Sequence, residues 1–289
     1  MPDSKTLEGT LGPDSNKWTY QTSAGFTLGP SSPPNLTIQT TTTPIRISPA
    51  ATALVIIDMQ NFFLSPFLGR QLGGAGHLAS DQLLKHAIPA ARKAGIRIVW
   101  LNWGLNEQDL KDMPAGVSRA FGFAGTEEDG PEHSGLGSPC GQVEVIDVDG
   151  STKKIDAGRL LMRDTWNAAI FPPLDTEYMR GSKLEKRPDV WIHKNRMSGL
   201  WGALTECEEF LEKEGIRTLL FSGVNTDQCV GGSLMDAFSK GYDCVLLSDG
   251  CGTTSPDFAQ KAWEYNVANT FGFCTTCVEF AKGVEVMKT

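Results

Sequence analysis

Short apolar runs alternate with longer stretches of helical periodicity over most of the chain. Ala53-Leu54-Val55-Ile56-Ile57-Asp58 is an aliphatic, partly β-branched run closed by a carboxylate, the pattern of a strand buried on both faces. Residues 80–94 place Leu83, Leu84, Ala87, Ile88 and Ala91 on one helical face, with Gly95 as the stop and Pro89 as an expected kink. Ile96–Leu101 predicts a second strand and Asp189–His193 a third. A helix over 202–214 follows, through Leu204, Cys207, Phe210 and Leu211, closed by Gly215. Arg217–Ser222 predicts a fourth strand, Cys229–Lys240 a helix and Asp243–Ser248 a fifth strand. The chain closes with a helix over Pro256–Val267, a short strand over Asn269–Phe273 and a helix over 277–287.

Two segments break this rhythm. Residues 1–45 are rich in Ser, Thr, Pro and Gly and read as an irregular arm. Residues 104–188 read as a long insertion in the 46–289 domain, with a hairpin around Gln142–Ile155 and a short helix near Asp156–Trp166. Strands alternating with helices imply right-handed crossovers and a mostly parallel sheet of about six strands, covered on both faces. In such an α/β fold, ligands bind at the carboxyl ends of the strands. That rule singles out Asp58, Asn102, Trp103, Lys194, the Gly223–Cys229 turn and Asp249.

Composition narrows the function classes. The 289 residues carry 26 Lys and Arg against 34 Asp and Glu, a net charge of −8, so no basic surface for nucleic acid is expected. No apolar run approaches the ~18 residues of a membrane span. The N-terminal residues lack a basic stretch followed by an apolar one, so no secretory signal is expected, and the Asn35-Leu36-Thr37 glycosylation pattern carries no weight. Seven cysteines, an odd number, fit reduced thiols in the cytoplasm better than a disulfide framework.

Each candidate has a structural reading beside the chemical one. Cys229 opens a helix after a strand and a glycine turn, where orphan N–H groups favour a thiolate; a small buried apolar residue is the alternative. Asp58 is costly to bury unless paired or working, but also suits a helix cap. Lys194 ends the third strand, where lysines are usually solvated. What raises all three is their shared position at one end of different strands. The Cys274-Thr275-Thr276-Cys277 pair stands alone, and His77, His86, His133 and His193 have no ligand spacing, so no metal and no cofactor are expected. Neither Gly73–Gly76 nor the Gly223 turn matches a nucleotide-binding loop. Trp103 and Trp201 are the tryptophans placed to line a pocket.

Three segments together resemble one family. Ala53–Asn61, His193–Gly199 and Ser222–Val230, in this order and spacing, are similar to the signature segments of the isochorismatase-like cysteine hydrolases over roughly residues 45–285. The resemblance implies a Rossmann-like three-layer αβα sandwich. It also implies a Cys229, Asp58 and Lys194 triad, with Asp58 as base then acid, Cys229 as nucleophile and Lys194 holding their charges in register. The backbone N–H groups of Asn225 and Cys229 would form an oxyanion hole beside a cis Val224–Asn225 peptide. Ile98–Gly104 with Glu107-Gln108, and Phe258–Ala262 with Phe271–Phe273, look closest to ureidoacrylate amidohydrolases. By this resemblance the substrate is a small amide, carbamoyl or ureido compound, cleaved at its C–N bond without metal. Asn61, Asn102, Trp103, Glu107 and Trp201 are the candidate substrate contacts. The family's nicotinamidase branch carries an Asp-x-His metal pair that has no counterpart here. A homodimer or homotetramer is implied. Isochorismate hydrolysis and a non-catalytic interaction protein of the same fold are the alternatives.

Overall fold

The computed structural model describes residues 7–29, 36–123, 135–146 and 150–287. Asn35, His133 and the first six residues, on which sequence expectations were placed, lie outside them.

The N-terminal segment departs from expectation. It forms strands β1 (Glu8–Leu11), β2 (Trp18–Gln21), β3 (Gly25–Thr27), β4 (Leu36–Ile38) and β5 (Ile45–Ile47). They make a sheet in the order β1-β2-β3-β5-β4, with β3 and β5 parallel and the other pairs antiparallel. The irregular arm expected over 1–45 is therefore corrected. Strands of three or four residues are too short to show a period of two, yet Leu36, Ile38, Ile45 and Ile47 are completely buried. That burial outweighs the disorder-like composition.

The chain then builds the main sheet. After β6 (Thr52–Ile57) come helices α1 (Asn61–Leu64), α2 (Ala75–Gln82) and α3 (Ile88–Ala94). The last two are joined through a π-helical segment, Leu83–Ala87, so the helix expected over 80–94 is longer. Strand β7 (Arg97–Trp103) precedes α4 (Glu107–Lys111) and α5 (Ala115–Ala120). Strands β8 (Gln142–Ile146) and β9 (Thr152–Asp156) form the expected hairpin. The short helix expected near Asp156–Trp166 is absent. Turns occupy this stretch, with Gly158, Leu161 and Asp164 at positive φ, a conformation no α-helix tolerates. The rest comprises α6 (Leu174–Gly181), β10 (Val190–Lys194), α7 (Glu206–Lys213), β11 (Thr218–Val224), α8 (Gly231–Ser239), β12 (Asp243–Gly252), α9 (Asp257–Asn266), β13 (Phe273–Thr275) and α10 (Cys277–Glu285).

The main sheet has six strands, all parallel, in the order β10-β7-β6-β11-β12-β13. Its two faces carry separate cores. One packs Val55, Leu101 and Phe221 with Leu211 of α7 and Leu234 of α8. The other packs Leu54, Trp100 and Leu220 with Ala79 of α2, Ala91 of α3 and Phe280 of α10, and continues into the N-terminal strands. This is the three-layer arrangement expected, with the strand order reversing between β6 and β11. The carboxyl ends of β6, β7, β10 and β11 therefore open onto one crevice. Among the described residues no helix is long and apolar enough to cross a membrane.

Candidate active site

Strand β6 is buried along its whole length and delivers Asp58 directly after its last residue. Asp58 has φ 54, in the left-handed region. Its N–H donates to the Leu101 carbonyl at 3.2 Å. Close approach of the next strand accompanies this turn: Gly223 of β11 has φ 108, and a Cβ there would lie 2.0 Å from the Ile57 carbonyl oxygen. Glycine alone fits.

Lys194 is the last residue of β10, two strands from β6. Its Nζ lies 2.9 Å from Asp58 Oδ2, with both side chains buried. The ammonium also donates to the Arg196 carbonyl at 3.1 Å. It stands 4.1 Å from the ring centroid of Trp103, the last residue of β7. The Trp103 N–H donates to Asp58 Oδ1 and to Gln60 Oε1, both at 3.1 Å. The Gln60 amide donates in turn to the carbonyls of Trp103 and Ala168 at 2.8 and 2.6 Å. Each carboxylate and ammonium in this crevice is thereby held by a strand end and a neighbouring backbone group.

Cys229 lies in a π-helical segment, Thr226–Val230, that continues into α8. Its sulfur is 3.5 Å from Met197 Sδ. The Asp58 carboxylate faces the thiol closely enough for each to alter the other's protonation. Burial pushes the Cys229 thiol up to about 12; the Lys194 ammonium opposes this and the Asp58 carboxylate adds to it. Burial also raises Asp58, against the pull of Lys194. Both shifts follow from removing charge from water. Burial thus disfavours the Cys229 thiolate and makes Asp58 a better proton acceptor than an exposed carboxylate.

The Val224–Asn225 peptide is cis, where the resemblance implies it. The Asn225 carbonyl accepts from Gln228 N at 3.0 Å and Val230 N at 3.2 Å. These bonds fall on either side of Cys229 in the chain.

The other candidates are spread more widely. Asn61 is buried at the start of α1, its amide donating to the Trp166 carbonyl at 2.8 Å while its Oδ1 has no partner among the described residues. Asn102 is fully buried on β7, on the sheet face opposite Trp103, and neither side-chain polar atom has a partner among the described residues. Glu107 is exposed and ion-paired with Arg159. Trp201 is half exposed, donates to Asn195 Oδ1 at 3.1 Å and carries the Arg196 guanidinium over its ring. With Lys194, His193, Arg163 and Glu206 it lines a cavity of about 240 Å³ at the β10 edge. The structure thus brings together Cys229, Asp58, Lys194 and Trp103; Trp201 shares only the cavity at the β10 edge with Lys194, and Glu107 makes its ion pair elsewhere.

Sequence reasoning gave no role to Gln60, Met197 or Phe121, whose ring meets Trp103 edge-on at 5.1 Å. Gln60 and Met197 lie inside the quoted motifs, which was their signal; Phe121 follows α5 in a segment without periodicity and had none. Among the described residues no group of three or more His, Cys, Asp and Glu side chains is placed to hold a metal ion. All seven cysteines are free.

A parallel six-stranded sheet gathering a thiol, a carboxylate and an ammonium at its carboxyl edge defines an α/β protein with the layout of a cysteine hydrolase. The chain belongs to the isochorismatase-domain family, whose model matches residues 52–277. It is 29% identical over 267 residues to a ureidoacrylate amidohydrolase from Rhizobium rhizogenes, covering 91% of this chain and 95% of that protein. It is 30% identical over 244 residues to a ureidoacrylate amidohydrolase from Agrobacterium fabrum, covering 82% and 91% respectively. A cysteine hydrolase from Pseudomonas syringae pv. phaseolicola shares the fold with a TM-score of 0.58 at 18% identity, covering 90% of this chain and 100% of that one.

Proposed function

We propose that this protein is a cysteine hydrolase that cleaves a C–N bond of a small amide, carbamoyl or ureido compound. The observation that carries the reading is the buried Asp58–Lys194 pair at 2.9 Å, set against the Cys229 thiol. A buried ion pair is costly to keep for stability alone. The names of the ureidoacrylate amidohydrolases to which the chain is similar support the substrate class.

As Cys229 sulfur attacks the carbonyl carbon, its proton passes to Asp58 and the carbonyl electron pair moves to oxygen. Collapse of that oxyanion breaks the C–N bond, and Asp58 returns the proton to the leaving nitrogen. A water molecule then attacks the thioester and gives Asp58 a proton. The C–S bond breaks, sulfur recovers the proton and the acid leaves. Lys194 offsets the negative charge shared by sulfur and carboxylate throughout. The Cys229 N–H, passed over by the bonds to the Asn225 carbonyl, and the Asn225 N–H serve the oxyanion. Asn61 Oδ1, buried without a partner among the described residues, accepts a substrate N–H.

The isochorismate and non-catalytic alternatives gain nothing from these relatives or from the intact ion pair. The free cysteines accord with the cytoplasm, and we place the protein there as a homodimer or homotetramer. The test is ammonia release from a panel of small amides and ureides, with Cys229→Ser beside the parent. Turnover is expected only in the parent, with a mass adduct on Cys229; full turnover by Cys229→Ser overturns the reading.

A further inference from the structure

We infer that Trp103 is a positioning residue for the triad, its indole face holding the Lys194 ammonium while its backbone holds Asp58. The inference rests on the Cys229–Asp58–Lys194 reading above.

An ammonium has three N–H groups to satisfy. Lys194 directs contacts to Asp58 Oδ2 and the Arg196 carbonyl, and the Trp103 ring stands 4.1 Å away. A π face attracts the cation without being a proton acceptor of any strength. A second carboxylate in that place would compete with Asp58 for Lys194 and add negative charge beside the thiol. A water molecule would admit solvent. The indole does neither, so the ammonium is held without an added charge.

Trp103 is itself fixed. Its N–H and carbonyl are both engaged by the Gln60 side chain, its N–H also reaches Asp58, and Phe121 packs on its edge. It is completely buried. Its ring and backbone thus link the acid and the ammonium in one rigid unit at the end of β7, and its buried indole N–H favours the Cys229 thiolate. The sequence position suggested a pocket lining; the contacts give it a different task.

The experiment reads Cys229 directly and needs no substrate. Iodoacetamide modification of the Cys229 peptide is followed by mass spectrometry as a function of pH, in the parent, Trp103→Phe, Trp103→Leu and Trp103→Met. Circular dichroism reports the fold of each; Trp103→Met keeps more of the volume if Trp103→Leu fails to fold. Phe retains a ring face but loses the indole N–H that acts on the Cys229 thiol, so its rate is expected to fall between those of the parent and the aliphatic variants. The aliphatic variants are expected to shift the alkylation profile to higher pH and slow it about 10-fold or more at neutral pH. With a working substrate, the same loss is expected in kcat, with KM changed no more than about 3-fold. Folded aliphatic variants with the parent profile overturn the inference. So does a Trp103→Phe variant as impaired as they are. If the parent is not modified at Cys229, the triad reading itself falls, and this inference with it.

Discussion

Burial holds the proton on the Cys229 sulfur, and in the proposed reaction Asp58 takes it. Asp58→Asn removes that acceptor, so turnover is expected to fall about 10²–10⁴-fold. Loss of the carboxylate also leaves the Lys194 ammonium unopposed beside the thiol. Alkylation of Cys229 in Asp58→Asn is therefore expected to move to lower pH while turnover collapses, two opposite changes read on one variant. The buried thiols have a further effect away from chemistry. Cys207, in α7, is raised from 9.0 to about 12 by burial and then by Glu206 and Glu208. Above pH 9 the unfolded chain releases this proton and the native state keeps it. Stability conferred below pH 9 is thus lost as pH rises toward 12, at about 1.4 kcal/mol per pH unit for each such thiol. Urea unfolding of Cys207→Ala is expected to show a shallower decline between pH 9 and 10.5 than the parent does. An equal decline counts against the assignment.

Strand ends, more than helices, place the chemistry. Gly223 shows how tightly: its φ of 108 and the 2.0 Å approach of an added Cβ to Ile57 oxygen leave no room on either count. Gly223→Ala is expected to cost more than about 2 kcal/mol and to displace the β6 and β11 ends together. Gly215→Ala, at φ 66 with open space around it, is expected to cost only about 1 kcal/mol. Thermal unfolding of the two variants compares them. These elements were also the most legible part of the sequence. The runs starting at Ala53, Ile96, Arg217 and Asp243 mark strands because residues buried on both faces must be apolar almost throughout. Ends were less legible. β7 continues to Trp103 past the polar Asn102, and β12 continues to Gly252 past Asp249, because the parallel ladder tolerates a polar side chain that hydropathy does not. The turns that replace the helix expected near Asp156–Trp166 are illegible because single positive-φ residues leave no periodic trace.

Across the whole molecule, the N-terminal sheet was illegible because its partners lie far away in sequence. Trp18 Nε1 donates to Asp243 Oδ1 at 2.6 Å, and Asn16 donates to the Gly241 carbonyl at 2.6 Å. Asp243 is buried and raised by that burial, with the Trp18 bond working against it. Trp18→Phe leaves this carboxylate one donor short. An unfolding free energy lower by about 1–3 kcal/mol is expected, with turnover unchanged, since the bond lies at the amino ends of the strands. A loss of turnover at full stability would contradict this. The far end of the chain is tied to the same sheet: the Cys274 carbonyl accepts from Thr41 N at 2.8 Å, Thr275 Oγ1 donates to the Gln39 carbonyl at 2.6 Å, and a Cβ on Gly283 of α10 would meet the Thr37 carbonyl oxygen at 2.3 Å. Synthesis therefore sets an order. The strands over residues 8–47 leave the ribosome well before α10 and find their seat only when α10 has emerged. Until then Leu36, Ile38, Ile45 and Ile47 lack the α10 side of their cover, so closure of this core, and protection of those strands from proteases or self-pairing, waits on the synthesis of α10.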